Sequence, residues 1–69
     1  MMNKINTRTV SDRSYETDYE DLYEADHDIT MAEANDLILA NYHRFPITKA
    51  VASIDGNTVA IRYTVDSCD

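Results

Sequence analysis

Carboxylates interleaved with tyrosines are the residues of this sequence with the clearest capacity for chemistry. Residues 12–36 hold ten of the thirteen Asp and Glu residues and a single basic residue, Arg13. Two neighbouring carboxyls can act as general acid and general base when a concave site gives them contrasting environments. Nothing in the sequence indicates such a site, and no Ser or Cys nucleophile is paired in sequence with a suitable base. We therefore predict that the protein is not an enzyme.

A calcium or zinc site is the other chemistry that these side chains suggest. Residues 26–30 begin like a calcium-binding loop, with oxygen ligands at the first, third and fifth positions. The pattern then fails, because Met31 replaces the turn glycine and Leu37 replaces the bidentate glutamate. The candidate zinc ligands lack the required spacing: His27, His43 and Cys68. The sequence predicts no metal site and no cofactor.

Length and composition predict a single small domain over residues 1–69. The chain leaves no room for a second domain, and its apolar content of 43% is normal for a globular protein. The formal net charge of −7 repels nucleic acid phosphates and anionic lipid. We therefore expect no direct binding to nucleic acid or membranes, and a basic protein surface as partner.

The N-terminal residues and the cysteine content predict a cytoplasmic location. Residues 1–11 lack the apolar core of a secretory signal, and no run approaches the roughly 20 apolar residues that cross a membrane. The single cysteine, Cys68, cannot form an internal disulfide, which favours a reducing compartment.

A central helix over residues 30–44 is the element with the strongest local signals. Thr30 suits the N-cap position, Glu33 completes a capping box, and Ile29 precedes the cap, where it can staple onto the helix. Pro46 prevents the helix from continuing. The expected buried stripe follows helical spacing and extends past the helix end: Met31, Ala34, Leu37, Ile38, Asn41, Tyr42 and Phe45.

A C-terminal β-hairpin is predicted, with strands over residues 47–54 and 58–65. The turn at residues 55–57 offers Asp-Gly or Gly-Asn as a two-residue loop, which supplies the positive φ of tight hairpins. Ala50 and Ala52 fall on the same face as larger side chains of the second strand: Val59, Ile61 and Tyr63. Small residues opposite large ones leave space, so we expect the helix to pack on that face.

Residues 14–23 have two possible structures. Three tyrosines recur there every four residues: Tyr15, Tyr19 and Tyr23. That spacing places side chains on one face of either a helix or a strand. A helix would pair like charges at i and i+4, each pair costing roughly 0.2–0.5 kcal/mol. A strand would turn alternate carboxylates to water, and we favour it: Glu16, Asp18 and Glu20.

The predicted fold class is therefore α+β, with the helix packed on a small antiparallel sheet. The sheet contains the C-terminal hairpin and the acidic strand. If the acidic stretch is helical instead, the fold has two helices and a hairpin. Residues 1–11 offer few apolar anchors and are expected to form a frayed or edge segment.

The spacing of carboxylates along a strand can be compared with the spacing of phosphates along a DNA strand. Alternate residues on one face are about 6.6 Å apart, twice the rise per residue. Each DNA strand advances about 3.4 Å per phosphate along the axis, and its backbone path is longer than that rise. Tyrosines add the flat, amphipathic contact area that protein interfaces favour. We expect this face to imitate a run of phosphates.

In size, charge and tyrosine interleaving, residues 12–36 resemble the small acidic inhibitors made by bacteriophages and mobile elements. That class includes nucleic-acid mimics and some anti-CRISPR proteins. The resemblance implies a non-enzymatic inhibitor that binds a basic nucleic-acid-binding surface of a larger host protein, in the cytoplasm of the host cell. A CRISPR effector, an RNA polymerase or a DNA-processing enzyme would fit.

The predicted partner-binding residues all come from the acidic stretch: Tyr15, Glu16, Asp18, Tyr19, Glu20, Asp21, Tyr23 and Glu24. The alternative is a small structural or assembly subunit whose acids serve solubility. Such a subunit would be a homodimer paired through a sheet edge at residues 58–65. We expect a monomer or a weak homodimer.

Overall fold

The computed structural model describes residues 2–66 and contains four strands and one helix. In chain order the elements are β1 (Asn3–Asp12), β2 (Glu16–Glu24), α1 (Met31–Asn41), β3 (Ile47–Asp55) and β4 (Thr58–Asp66). Cys68 lies outside the described residues. No helix within them has the length and apolar character needed to cross a membrane.

The four strands form one sheet in the order β1-β2-β4-β3, and all neighbours are antiparallel. Because β4 separates them, β2 and β3 run in the same direction, and α1 connects one to the other. This confirms the α+β class and the acidic strand, and it excludes the two-helix alternative. The strand begins at Glu16 rather than residue 14, because residues 13–15 make the turn that follows β1.

The predicted start of α1 is confirmed. The Glu33 backbone N–H donates to Thr30 Oγ1 at 3.2 Å, and the Thr30 N–H donates to Glu33 Oε1 at 3.0 Å, so the capping box is complete. The helix ends at Asn41 with Tyr42 as its C-cap, earlier than predicted. Residues 43–46 form a turn instead, closed by a hydrogen bond from the Ile47 N–H to the Arg44 carbonyl.

The buried stripe of α1 is shorter than predicted. Ala34 and Tyr42 are buried, and Leu37 and Ile38 are half-buried. Three predicted members are exposed instead: Met31, Asn41 and Phe45. Met31 leans past the first turn because helical side chains tilt toward the N-terminus. Asn41 donates its side-chain amide to the Leu37 carbonyl at 3.2 Å, and Phe45 follows the helix end, where helical spacing no longer applies.

The hairpin places its small residues as predicted. Ala50 pairs with Tyr63 and Ala52 with Ile61, and α1 packs against β3 on this face. Gly56 and Asn57 form a two-residue turn in which only Gly56 has a positive φ, 61°. The core joins residues of β2, its connection to α1, α1 with its C-cap, and β4: Tyr23, Ala25, Ile29, Ala34, Tyr42, Val59 and Ile61.

Residues 3–12 form a complete edge strand, β1. It pairs along the whole of β2, with register shifts between Lys4 and Asn6 and between Thr9 and Ser11. Nearly all of its side chains are exposed. Its main structural effect is to place β2 inside the sheet, with strands on both sides.

Candidate functional site

The predicted partner-binding residues do not share one surface. Tyr15 and Glu24 are exposed. Four others are half-buried: Glu16, Asp18, Tyr19 and Glu20. The remaining two are buried: Asp21 and Tyr23. Strand alternation explains the division, because successive residues of β2 point to opposite faces and α1 covers only one of them.

Asp21 is the largest departure from the predicted surface, since it is only 1% exposed. Its carboxylate accepts hydrogen bonds from Thr7 Oγ1 at 2.7 Å, the Tyr42 hydroxyl at 2.5 Å and the Tyr63 hydroxyl at 3.4 Å. Lys4 Nζ lies 3.6 Å from the same carboxylate. Asp21 therefore cannot contact a partner. A buried carboxylate needs such partners, and here β1, β4 and the end of α1 supply them.

Tyr23 belongs to the same buried cluster. Its hydroxyl lies 2.7 Å from the Tyr42 hydroxyl, and the Tyr63 ring packs 4.9 Å from the Tyr42 ring. Tyr19 stacks on Tyr63 at 5.5 Å. We call Lys4, Thr7, Asp21, Tyr23, Tyr42 and Tyr63 the Asp21 cluster.

The Asp21 cluster has the character of a structural network. Burial raises the pKa of Tyr63 to about 12, with Asp21 adding to the shift. Burial, followed by the hydrogen bond to Asp21, raises the pKa of Tyr42 well above its ordinary value. Both phenols thus keep their protons at neutral pH and donate to Asp21. Within residues 2–66 every buried polar side-chain atom has a hydrogen-bond partner.

The carboxylates on the opposite face of β2 are neutralised by arginines. Glu20 accepts from Arg8 on β1 at 2.9 Å and from Arg62 on β4 at 3.2 Å. The hydrogen bond from Arg8 is the largest of the effects that lower the pKa of Glu20. Asp18 accepts from Arg13 at 2.9 Å and from Thr64 at 2.8 Å. These carboxylates are therefore paired with arginines, and they do not form a row of unpaired, phosphate-like charges.

A second group of acids, in residues 24–36, has no arginine or lysine near it in sequence. The segment contains five carboxylates and no Lys or Arg, and we call those five residues the acidic pole: Glu24, Asp26, Asp28, Glu33 and Asp36. They follow one another from the last residue of β2, through the connection, to the middle of α1. Only Glu24 of the acidic pole was among the predicted site residues. The signal in the sequence was the absence of basic residues between Arg13 and Arg44.

The hairpin turn holds the acidic pole in place. The Ala25 N–H donates to the Asn57 carbonyl at 2.8 Å, and the Ile29 N–H donates to the Gly56 carbonyl at 2.9 Å. Asn57 returns a hydrogen bond from its side chain to the Ala25 carbonyl at 3.2 Å. The connection between β2 and α1 is therefore anchored at both ends.

His27 lies between two carboxylates of the acidic pole. Its Nδ1 is 2.8 Å from Asp26 Oδ1, and its Nε2 is 2.6 Å from Glu33 Oε2. Imidazole donates from both nitrogens only when it is protonated. The hydrogen bond to Asp26, and then that to Glu33, raises the pKa of His27 above its ordinary value of 6.5. Protonated His27 offsets one of the negative charges.

The remaining site predictions concern metals. Among residues 2–66 no group of three or more His, Cys, Asp and Glu side chains could hold a metal ion. No family model, curated protein or solved structure matches the chain. From the acidic stretch the fold builds the Asp21 cluster, the arginine-paired carboxylates of β2 and the acidic pole.

Proposed function

We propose that the protein is a non-enzymatic inhibitor that binds a basic, nucleic-acid-binding surface of a larger host protein. The observation that carries this proposal is the acidic pole. Glu24, Asp28 and Asp36 are exposed, and none of them makes an ion pair with another described residue. A CRISPR effector, an RNA polymerase or a DNA-processing enzyme in the host cytoplasm presents such a basic surface.

The binding surface is the acidic pole rather than the whole acidic stretch. β2 has nine residues, so at about 3.3 Å per residue its two ends are roughly 26 Å apart. Tyr15, which precedes β2, is therefore remote from Glu24 and cannot anchor the same compact contact. Met31 is the apolar anchor of this contact instead, because it begins α1 beside the acidic pole and is 69% exposed. A flexible thioether suits an adaptable apolar contact.

Charge and apolar contact have separate effects on such a complex. Unpaired carboxylates accelerate encounter with a basic surface, and this effect weakens as salt rises. Burial of Met31 at the centre of the contact slows dissociation. Binding to the partner is thus expected to compete with DNA or RNA and to weaken at high ionic strength.

Affinity capture from a bacterial lysate, at low and high salt and with or without added DNA, tests the proposal. The decisive variant neutralises the acidic pole: Glu24→Gln, Asp28→Asn and Asp36→Asn. Its matched control removes the same charge from β2: Glu16→Gln, Asp18→Asn and Glu20→Gln. We expect the first variant to lose a DNA-competed partner and the control to retain it. Capture that survives both high salt and DNA would contradict the proposal.

A small assembly subunit is the second candidate function. The predicted pairing edge at residues 58–65 is wrong, because β4 lies between β2 and β3 and has no free edge. The outer edge of β3 is free instead, its register is regular from Lys49 to Asp55, and Val51 is 55% exposed. Mass in solution over a dilution series distinguishes the candidates, since edge pairing gives a concentration-dependent dimer.

A further inference from the structure

A groove with the opposite charge lies at the other end of α1. It has a volume of about 370 Å³ and runs between the end of the helix and the first residues of β3. Ile38, Ile47 and Ala50 line its apolar part. Its charged and aromatic part comes from residues that follow the helix and from the start of β3: Tyr42, His43, Arg44, Phe45 and Lys49. The groove thus combines an apolar floor with two basic residues in its lining, Arg44 and Lys49.

The two cations of this groove differ from the other basic residues. Four of the six Lys and Arg side chains lie within ion-pair distance of a carboxylate: Lys4, Arg8, Arg13 and Arg62. Arg44 and Lys49 make no such pair with any residue from 2 to 66. In a chain with thirteen acids, both cations left over by the described ion pairs therefore line one groove.

Phe45 is an independent feature of the same place. At 82% it is the most exposed of the large hydrophobic side chains in the described chain. Aromatic rings beside arginine are typical of protein interfaces, where they supply apolar area and a surface for stacking. Exposure of this ring to water is unfavourable, and covering it would stabilise a complex.

We propose that this groove binds an acidic peptide segment of a partner protein. Carboxylates of the segment would pair with Arg44 and Lys49, and one apolar side chain would pack between Phe45 and the groove floor. The proposal goes beyond the proposed function, because it concerns the opposite end of α1 and a partner of opposite charge.

A peptide fits this groove better than a nucleic acid does. Nucleic acid binding draws its affinity from many neutralised phosphates, and the lining of the groove contains two Lys or Arg residues. The net charge of −7 also repels a long polyanion, whereas a short segment with few carboxylates is repelled much less. Ile38, Ile47 and Ala50 line the floor, and they match an apolar side chain.

Amide NMR spectra of the full chain, titrated with a short synthetic peptide in which glutamates flank one phenylalanine, test the proposal. We expect saturable shifts confined to the residues around Arg44, Phe45 and Lys49. The variant Arg44→Gln/Lys49→Gln is expected to bind the peptide roughly five- to tenfold more weakly, since each exposed pair contributes modestly. Phe45→Ala is expected to weaken binding as well. The same spectra show that each variant is folded.

Three controls make the result decisive. Arg8→Gln/Arg13→Gln removes the same charge near the opposite sheet edge and is expected to leave peptide binding unchanged. A peptide with lysines in place of glutamates is expected to cause no shifts in the groove. Equal or tighter binding of a single-stranded oligonucleotide would overturn the proposal. So would the absence of shifts in the groove with the acidic peptide, or groove shifts that depend on protein concentration alone, which would assign the groove to a second copy.

Discussion

Three carboxylates of β2, those of Glu16, Asp18 and Glu20, and the carboxylates of the acidic pole are close in sequence and alike in type, yet they have opposite roles. Glu20 lies between Arg8 and Arg62, which come from the two neighbouring strands. Glu24 and Asp28, a few residues later, make no ion pair within the described chain and are exposed. The comparison shows that a run of acids in sequence becomes a charged surface only where no strand supplies cations.

Asp21 extends the comparison to the interior of the protein. It follows Glu20 directly, but it points to the face that α1 covers and is surrounded by hydroxyl groups. Three kinds of carboxylate therefore occur within one stretch of the sequence. Some are buried, some are neutralised by arginine, and some are exposed and make no ion pair within the described chain. Each kind responds differently to substitution.

The largest expected effect comes from removing the buried acid. Asp21→Ala leaves hydroxyls of Thr7, Tyr42 and Tyr63 without their acceptor and is expected to lower the free energy of unfolding by roughly 1–3 kcal/mol. Such a loss is a large part of the stability of a small domain. Urea denaturation followed by circular dichroism measures it. Asp28→Ala, in the acidic pole, is the control and should change the unfolding free energy by less than about 0.5 kcal/mol. Equal effects would break the distinction between the two acids.

A smaller effect is expected for the neutralised acid. Glu20→Gln weakens the contacts with Arg8 and Arg62 and should lower the free energy of unfolding by roughly 0.5–1 kcal/mol, less at high salt. Glu24→Gln removes a charge that makes no ion pair with a described residue. The free energy of unfolding of this variant should therefore be unchanged or slightly higher. Urea denaturation midpoints, measured at low and at high salt, compare the stabilities of the two variants. A greater loss for Glu24→Gln would show that the acidic pole is a structural feature.

The smallest expected effect is a pH dependence at the acidic pole. Because the pKa of His27 is raised, the folded protein holds this proton more strongly than the unfolded chain. The resulting stabilisation is complete below the ordinary pKa of 6.5 and is lost as pH rises through the higher folded value. Thermal melts from mildly acidic to mildly alkaline pH should show this decline, and His27→Gln should flatten it. His43→Gln, at the other end of α1, should keep the decline, and a flat profile in the unaltered protein would contradict the contacts of His27.

Much of the fold was predictable because its signals are local. The capping box of Thr30 and Glu33 marked the start of α1, and Gly56 marked the hairpin turn. The end of α1 was less predictable, since Pro46 sets only an outer limit and the helix stops at Asn41. Phe45 therefore falls in a turn and is exposed instead of continuing the buried stripe.

The candidate site was predictable in composition but not in position. The acids and tyrosines were visible as residue types, and strand alternation separated Glu16, Asp18 and Glu20 from the covered face. Their neutralisation was not visible, because Arg8 and Arg62 are far from Glu20 in sequence and meet it only through strand pairing. The acidic pole consists of the acids from Glu24 to Asp36, and it is distinguished from those three earlier acids only by the ion pairs that they make with arginines.

The sequence by itself determined the start of the helix and the hairpin, because capping and turn formation depend on residues only a few positions apart. Strand alternation favoured the acidic strand but left a helix open. The tertiary structure alone decided the order of the strands, and with it the environment of each carboxylate. Placing β2 between β1 and β4 brought arginines to one of its faces and tyrosine hydroxyls to the other. The physical reason is that Coulomb and hydrogen-bond partners act through space, and strand order sets which of them come within reach.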